Sequence, residues 1–225
     1  MSEEVTSGTV ELVAGDGHRL AGFLARPAGE PRGAVVLVQE IFGVNRHIRS
    51  VCLDYAAAGY TTLAPALFDR TERGVELPYD EAGIERGRSL MGSLTVDQAL
   101  ADVAAALARL GGARSAAVVG YCWGGTLAWL AAARLPVRAA VGYYGGRIGE
   151  HAALVPQVPT LLHFGETDHA IPLTVAEDVR NRHSQVIVHL YPAGHGFNCD
   201  ERPSFDADSA RSARRRTLGL LEAVF

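Results

Sequence analysis

The feature that most constrains this chain is the run Ala116-Ala117-Val118-Val119-Gly120-Tyr121-Cys122-Trp123-Gly124-Gly125. It reads as a buried strand, a glycine, a nucleophile-capable residue closely followed by glycines, and the start of a helix. This is the G-x-S-x-G nucleophile elbow with cysteine in the serine position. The turn is so sharp that side chains at Gly120 and Gly124 would collide with the backbone. The following helix points its positive N-terminus at the cysteine and favours thiolate over thiol, and only the thiolate attacks.

Around this elbow, strand and helix patterns alternate. Val10 to Val13 and Leu20 to Leu24 flank the turn-prone Ala14-Gly15-Asp16-Gly17, which predicts an edge hairpin. The aliphatic run Ala34 to Val38 has the character of a strand buried on both faces of a parallel sheet. Further strands are predicted at Tyr60 to Leu63, Ala116 to Val119, Ala139 to Tyr143, Thr160 to Phe164 and Val186 to Tyr191. Helices are predicted near 46–58, across 79–110, at 124–134, after Pro172 and from Asp206 to Val224. The expected fold class is therefore α/β, of the α/β-hydrolase type: a mostly parallel sheet with helices on both faces and an N-terminal hairpin at one edge. Residues 1–225 are expected to form one domain, since single α/β domains reach about 200–250 residues.

In such sheets the active site lies at the carboxyl ends of the strands. The elbow's partners should follow in the order acid, then histidine, each just past a strand. Asp168 follows Thr160 to Phe164, and His195 follows Val186 to Tyr191. In this arrangement His195 exchanges a proton with Cys122 and later activates water, while Asp168 fixes the imidazole tautomer. At the end of the first buried strand stands Gln39-Glu40-Ile41-Phe42-Gly43. A carboxylate there is costly unless paired, which assigns Glu40 to the site. The backbone N–H groups of Ile41 and Trp123 are the expected oxyanion donors.

The remaining histidines and cysteines read as bystanders. His163 is expected to pack in or near the core, and His169 with Glu166 fits no tetrahedral metal spacing. His18, His47, His151, His183 and His189 are expected on the surface or in loops. Cys52 reads as a small core residue, and Cys199 as a pocket neighbour or redox-sensitive bystander. The basic cluster Arg211, Arg214, Arg215 and Arg216, near Asp206 and Asp208, reads as a solvated helix face.

Composition narrows the chemistry further. All 21 basic residues are arginine and none is lysine. Phosphate-loop NTPases, pyridoxal enzymes, Schiff-base aldolases and serine–lysine hydrolases all need a lysine and are excluded. The net charge of −4 gives no reason to expect nucleic acid or an anionic membrane. No apolar run approaches the roughly 20 residues of a membrane span, and Met1-Ser2-Glu3-Glu4 lacks a signal-peptide pattern. The three cysteines cannot all pair, which favours a reducing cytoplasm.

Taken together, these motifs resemble the dienelactone hydrolase family (carboxymethylenebutenolidases), a cysteine branch of the α/β-hydrolase fold. The likeness rests on Gln39-Glu40-Ile41-Phe42-Gly43, Gly120 to Gly125, Val141-Gly142-Tyr143-Tyr144-Gly145, Asp168-His169 and Gly194-His195-Gly196-Phe197. The resemblance implies a Cys122, Asp168, His195 triad, and a Glu40 that contacts the resting thiol and helps activate it. It also implies substrate contacts from Phe42 and Tyr143. Cofactor-free, metal-free catalysis in the cytoplasm is expected, by a monomer or alternatively a homodimer, on a small-molecule lactone or ester. Dienelactone-specific members carry a carboxylate-binding arginine four residues past the histidine, and here that position is Cys199. A second such arginine has Arg86 and Arg88 as local candidates, and Arg202 is the nearest arginine beyond Cys199. The lost arginine favours a general esterase of neutral esters as the alternative. A silent ligand- or partner-binding member of the fold is the alternative of another class.

Overall fold

The structure of the protein, a computed structural model, describes residues 4–225. The expectation about Met1-Ser2-Glu3 lies outside the described residues. Eight strands form one sheet: β1 (Thr6–Val13), β2 (Arg19–Arg26), β3 (Gly33–Val38), β4 (Tyr60–Pro65), β5 (Ala116–Tyr121), β6 (Ala140–Tyr143), β7 (Thr160–Gly165) and β8 (Ile187–Tyr191). Their order is β1-β2-β4-β3-β5-β6-β7-β8. The β1–β2 hairpin sits at one edge and runs antiparallel to β4, while every pairing from β4 through β3 to β8 is parallel. The α/β-hydrolase architecture is thus the one expected.

Six α-helices connect and flank the strands: α1 (Arg46–Ala57), α2 (Glu81–Gly92), α3 (Val96–Arg109), α4 (Trp123–Arg134), α5 (Leu173–Arg182) and α6 (Ala207–Val224). The helical region predicted at 79–110, with Asp97 to Leu110 as its last part, divides into α2 and α3, and α3 matches that last part. Thr95 and Gln98 form a capping box that starts α3 afresh after α2 ends at Gly92. No single helix among the described residues is long and apolar enough to cross a membrane.

The core explains the sequence pattern. Every residue of β5 is buried, as are Ala34 to Val38 of β3, because these central strands are covered on both faces. Parallel register then aligns the carboxyl ends: Val38 pairs with Gly120, Tyr121 with Tyr143, and Gly165 with Tyr191. The loops that leave these ends carry residues 40, 122, 168 and 195 to one edge of the sheet.

His47, buried in the first turn of α1, and His189, inside β8, depart from the surface or loop expectation, whereas His183 lies in the loop after α5 but is also buried. His47 and His183 share a further feature. His183 Nε2 lies 2.6 Å from the Ala152 carbonyl, and His47 Nδ1 lies 3.2 Å from Asp200 Oδ1. Each finds a polar partner from distant sequence, which is what makes the burial tolerable.

Candidate active site

Cys122 sits between the end of β5 and the first turn of α4, at φ 54° and ψ −114°. That conformation is disfavoured for a residue with a Cβ and persists only where the surroundings impose it. Two glycines allow the imposition. A Cβ on Gly120 would stand 1.9 Å from the Gly124 carbonyl oxygen, and one on Gly124 would stand 2.3 Å from that of Val38. Neither position admits a larger residue, so the tight turn that presents the sulfur is written into the sequence.

The three predicted partners come together. His195 Nε2 lies 3.2 Å from Cys122 Sγ, and His195 Nδ1 lies 2.8 Å from Asp168 Oδ2. Asp168 is held from the other side, where its Oδ1 accepts from Ala170 N–H at 2.8 Å and Ile171 N–H at 3.2 Å. These bonds fix the carboxylate, which in turn fixes the ring. Burial by itself would lower the His195 pKa. The adjacent Cys122 sulfur and the Asp168 carboxylate outweigh it and raise that pKa to about 10. His195 is therefore favoured in its protonated form beside the sulfur.

Above the sulfur lies a pocket of about 280 Å³. Ile41, Phe42, Ile84, Met91 and Trp123 give it apolar walls, and Arg88, Arg147 and Arg202 give it positive charge. Arg147 is held by Glu150 at the surface. The Trp123 ring stacks on Phe68 with centroids 5.6 Å apart. The backbone N–H groups of Ile41 and Trp123 are not taken up by the turns around them. Both are therefore without a backbone partner among the described residues, the second at a helix N-terminus.

Glu40 is fully buried and paired, though not as the resemblance implied. Its Oε2 accepts from Tyr79 O–H at 3.0 Å, and its Oε1 faces Arg202 Nη1 at 3.4 Å. The hydrogen-bond partner of the thiol is His195, and the expected contact between Glu40 and the resting thiol is not made. Arg202 also lies over the Phe42 and Tyr79 rings, 5.8 and 5.7 Å from their centroids. Arg202 and Tyr79 are thus the neighbours of Glu40. Neither carried a motif in the sequence, because only the fold brings residues 40, 79 and 202 together.

Two expected substrate contacts are corrected. Tyr143, the last residue of β6, is fully buried with its hydroxyl 2.7 Å from Thr217 Oγ1 of α6. It packs on Tyr121 and His163, away from the pocket. Its neighbour Tyr144, also fully buried, packs its ring against that of His195 with centroids 5.1 Å apart. Arg86 forms an exposed ion pair with Glu72 and does not line the pocket, whereas Arg88, two residues on along α2, does. Cys199 is buried and contributes nothing to the pocket wall, and burial pushes its thiol up to about 12. Arg202 reaches the pocket from three residues beyond it, so the substitution at Cys199 does not strip the site of its arginine.

A model of the dienelactone hydrolase family matches residues 20–225. Carboxymethylenebutenolidase 1 of Cupriavidus pinatubonensis is 31% identical, over 96% of this chain and 96% of its own. A Yersinia pestis protein, provisionally named a carboxymethylenebutenolidase, is 35% identical over 92% of this chain and 84% of its own. Among solved structures, a protein of Klebsiella pneumoniae provisionally named a dienelactone hydrolase superposes with a TM-score of 0.82 at 31% identity. That superposition covers 96% of this chain and 98% of the other.

Proposed function

Since this chain belongs to the dienelactone hydrolase family, we propose that it hydrolyses a lactone or small carboxylic ester through Cys122, His195 and Asp168. The family supports the hydrolase. The single observation that carries the residue roles is the continuous chain of contacts from Asp168 Oδ2 through His195 to Cys122 Sγ.

In this reading the Cys122 thiolate attacks the substrate carbonyl, and the oxygen that becomes negative is held by Ile41 and Trp123 N–H groups. His195, protonated beforehand, gives its Nε2 proton to the departing alkoxide as the thioester forms. For a lactone, that alkoxide stays attached to the acyl group as its own free arm. His195, now neutral, then takes a proton from water, and the hydroxide equivalent attacks the thioester. Collapse of the second tetrahedral intermediate releases the carboxylic acid and restores the thiolate–imidazolium pair. Asp168 remains ionised throughout and keeps Nδ1–H directed at itself.

The pocket also bears on substrate class. Arg88 stands exposed at its rim with no ion pair among the described residues, and Arg202 enters its wall. Guanidinium groups recognise planar carboxylates by paired hydrogen bonds. These two side chains favour an ester or lactone that carries a carboxylate over a neutral one.

The decisive variant is Cys122→Ala assayed on p-nitrophenyl acetate. Its turnover should fall by about 10⁴-fold or more, since the triad acts as a unit. A mass-spectrometric thioester adduct should appear on the native chain alone. Turnover by Cys122→Ala within about tenfold of the parent would overturn the assignment, because loss of the nucleophile cannot be that mild.

A further inference from the structure

Glu40 belongs to a second constellation that ester hydrolysis does not use. Its carboxylate, the imidazole of His47 and the thiol of Cys199 each offer one ligand atom, and these atoms lie within 4.8 Å of one another. All three residues are buried. They arrive from separate places in the fold: the loop after β3, the first turn of α1 and the loop after β8. A tetrahedral zinc ion, with bonds of about 2.3 Å to sulfur and about 2.0 Å to nitrogen and oxygen, sets its ligand atoms about 3.3–3.6 Å apart. The three donors would therefore close on an ion by approaching one another by at most about 1.5 Å.

The state of His47 points the same way. Its Nδ1 lies 3.2 Å from the carboxylate of Asp200, and its Nε2 is buried with no hydrogen-bond partner among the described residues. If Nδ1–H donates to Asp200, the lone pair resides on Nε2. That is the carboxylate–histidine arrangement found behind metal-bound imidazoles. A buried ring nitrogen with no partner is otherwise costly.

There is also an access route. A solvent-open cleft of about 840 Å³ is lined by Tyr79 and Asp200, which touch the cluster, and by Glu76, Asp80 and Glu201. Its one arginine, Arg46, is paired with Glu201, and Glu76 is paired with Arg49, which leaves Asp80 and Asp200 without an arginine among the described residues. The cleft is therefore acidic and draws cations toward the buried donors.

We propose that Glu40, His47 and Cys199 bind a divalent cation of the zinc class. On binding, the Cys199 sulfur forms a bond to the metal and its proton passes to solvent, so thiolate and carboxylate together neutralise the dication. Thiolate and imidazole select zinc, cobalt or a similar ion and disfavour magnesium and calcium, which prefer oxygen ligands.

The test uses Co²⁺ titrated into the full chain carrying Cys122→Ala, which removes the active-site thiol as a competing ligand. A sulfur-to-cobalt charge-transfer band should saturate at about one equivalent and persist in excess Mg²⁺. It should vanish in Cys122→Ala/Cys199→Ser, and Asp200→Ala should weaken binding by about tenfold or more. No band in Cys122→Ala, or a band that survives loss of Cys199, overturns the site.

Discussion

Cys122 shows how much one residue's backbone can reveal. Its left-handed φ of 54° is enforced by the carbonyls pressed against Gly120 and Gly124, so the tight turn that presents its sulfur could be read from glycine spacing alone. The positions of Asp168 and His195 beside it were equally legible, because topology dictates where they must fall. Tyr143 was not. A strand's last side chain and the one after it point in different directions, and the choice between Tyr143 and Tyr144 is made by Thr217, on α6 some 74 positions away. His47 misled for a related reason: its neighbours Arg46, Arg49 and Ser50 are polar, and only the distant Asp200 gives its buried ring a polar partner. The residue scale also carries a pH prediction. Burial opposes the charge on His195, but Cys122 and Asp168 prevail and set its pKa near about 10. Below that value the imidazolium is present to protonate the leaving group; above it the proton is lost. The alkaline limb of kcat/KM on p-nitrophenyl acetate, corrected for spontaneous hydrolysis, should therefore have its midpoint near 10. A midpoint near the ordinary histidine value of about 6.5 would refute the thiolate–imidazolium pair.

Between elements, Arg70 is the joint to examine. It follows β4 in a short 3₁₀ turn (Leu67–Arg70) and donates from Nε and Nη2 to the two oxygens of Asp102 on α3, each at 2.8 Å. Its Nη1 reaches Asp16 in the β1–β2 turn, also at 2.8 Å. One guanidinium thus ties the edge hairpin, the end of β4 and α3 together. Asp102 is fully buried, and desolvation raises its pKa despite the arginine. Removing it strands a largely buried cation, which typically costs about 3–5 kcal/mol. Asp102→Ala should accordingly lower Tm by about 10 °C, whereas Asp16→Ala, whose carboxylate is open to solvent, should leave Tm nearly unchanged. Equal shifts for the two variants in a thermal melt would contradict this account. Nothing in the sequence joins positions 16, 70 and 102. By contrast the break between α2 and α3 was available, since Thr95-Val96-Asp97-Gln98 carries the spacing of a capping box.

Across the whole molecule, the strand order decides which arginines can matter. Parallel β3, β5, β7 and β8 deliver their loops to one edge, and α2 folds over that edge from a separate excursion after β4. Of 21 arginines, only Arg88, Arg147 and Arg202 line the pocket. With no lysine present, every permanent cation an anionic substrate meets there is a guanidinium. Arg147 is engaged by Glu150 and Arg202 by Glu40, which leaves Arg88 as the cation with no ion pair among the described residues. A chain with net charge −4 repels anions at long range, so their capture depends on this local field. Arg88→Gln should therefore lower kcat/KM on a carboxylate-bearing lactone such as dienelactone by about 10–100-fold, the worth of a charged hydrogen bond. On p-nitrophenyl acetate, which offers no carboxylate, the same variant should stay within about threefold of the parent. Raising the ionic strength from about 0.05 to 0.5 M should weaken turnover of the anionic substrate alone, since screening shortens the reach of the pocket's charge. Equal losses on both substrates would mean that Arg88 shapes the pocket wall and not the recognition of charge.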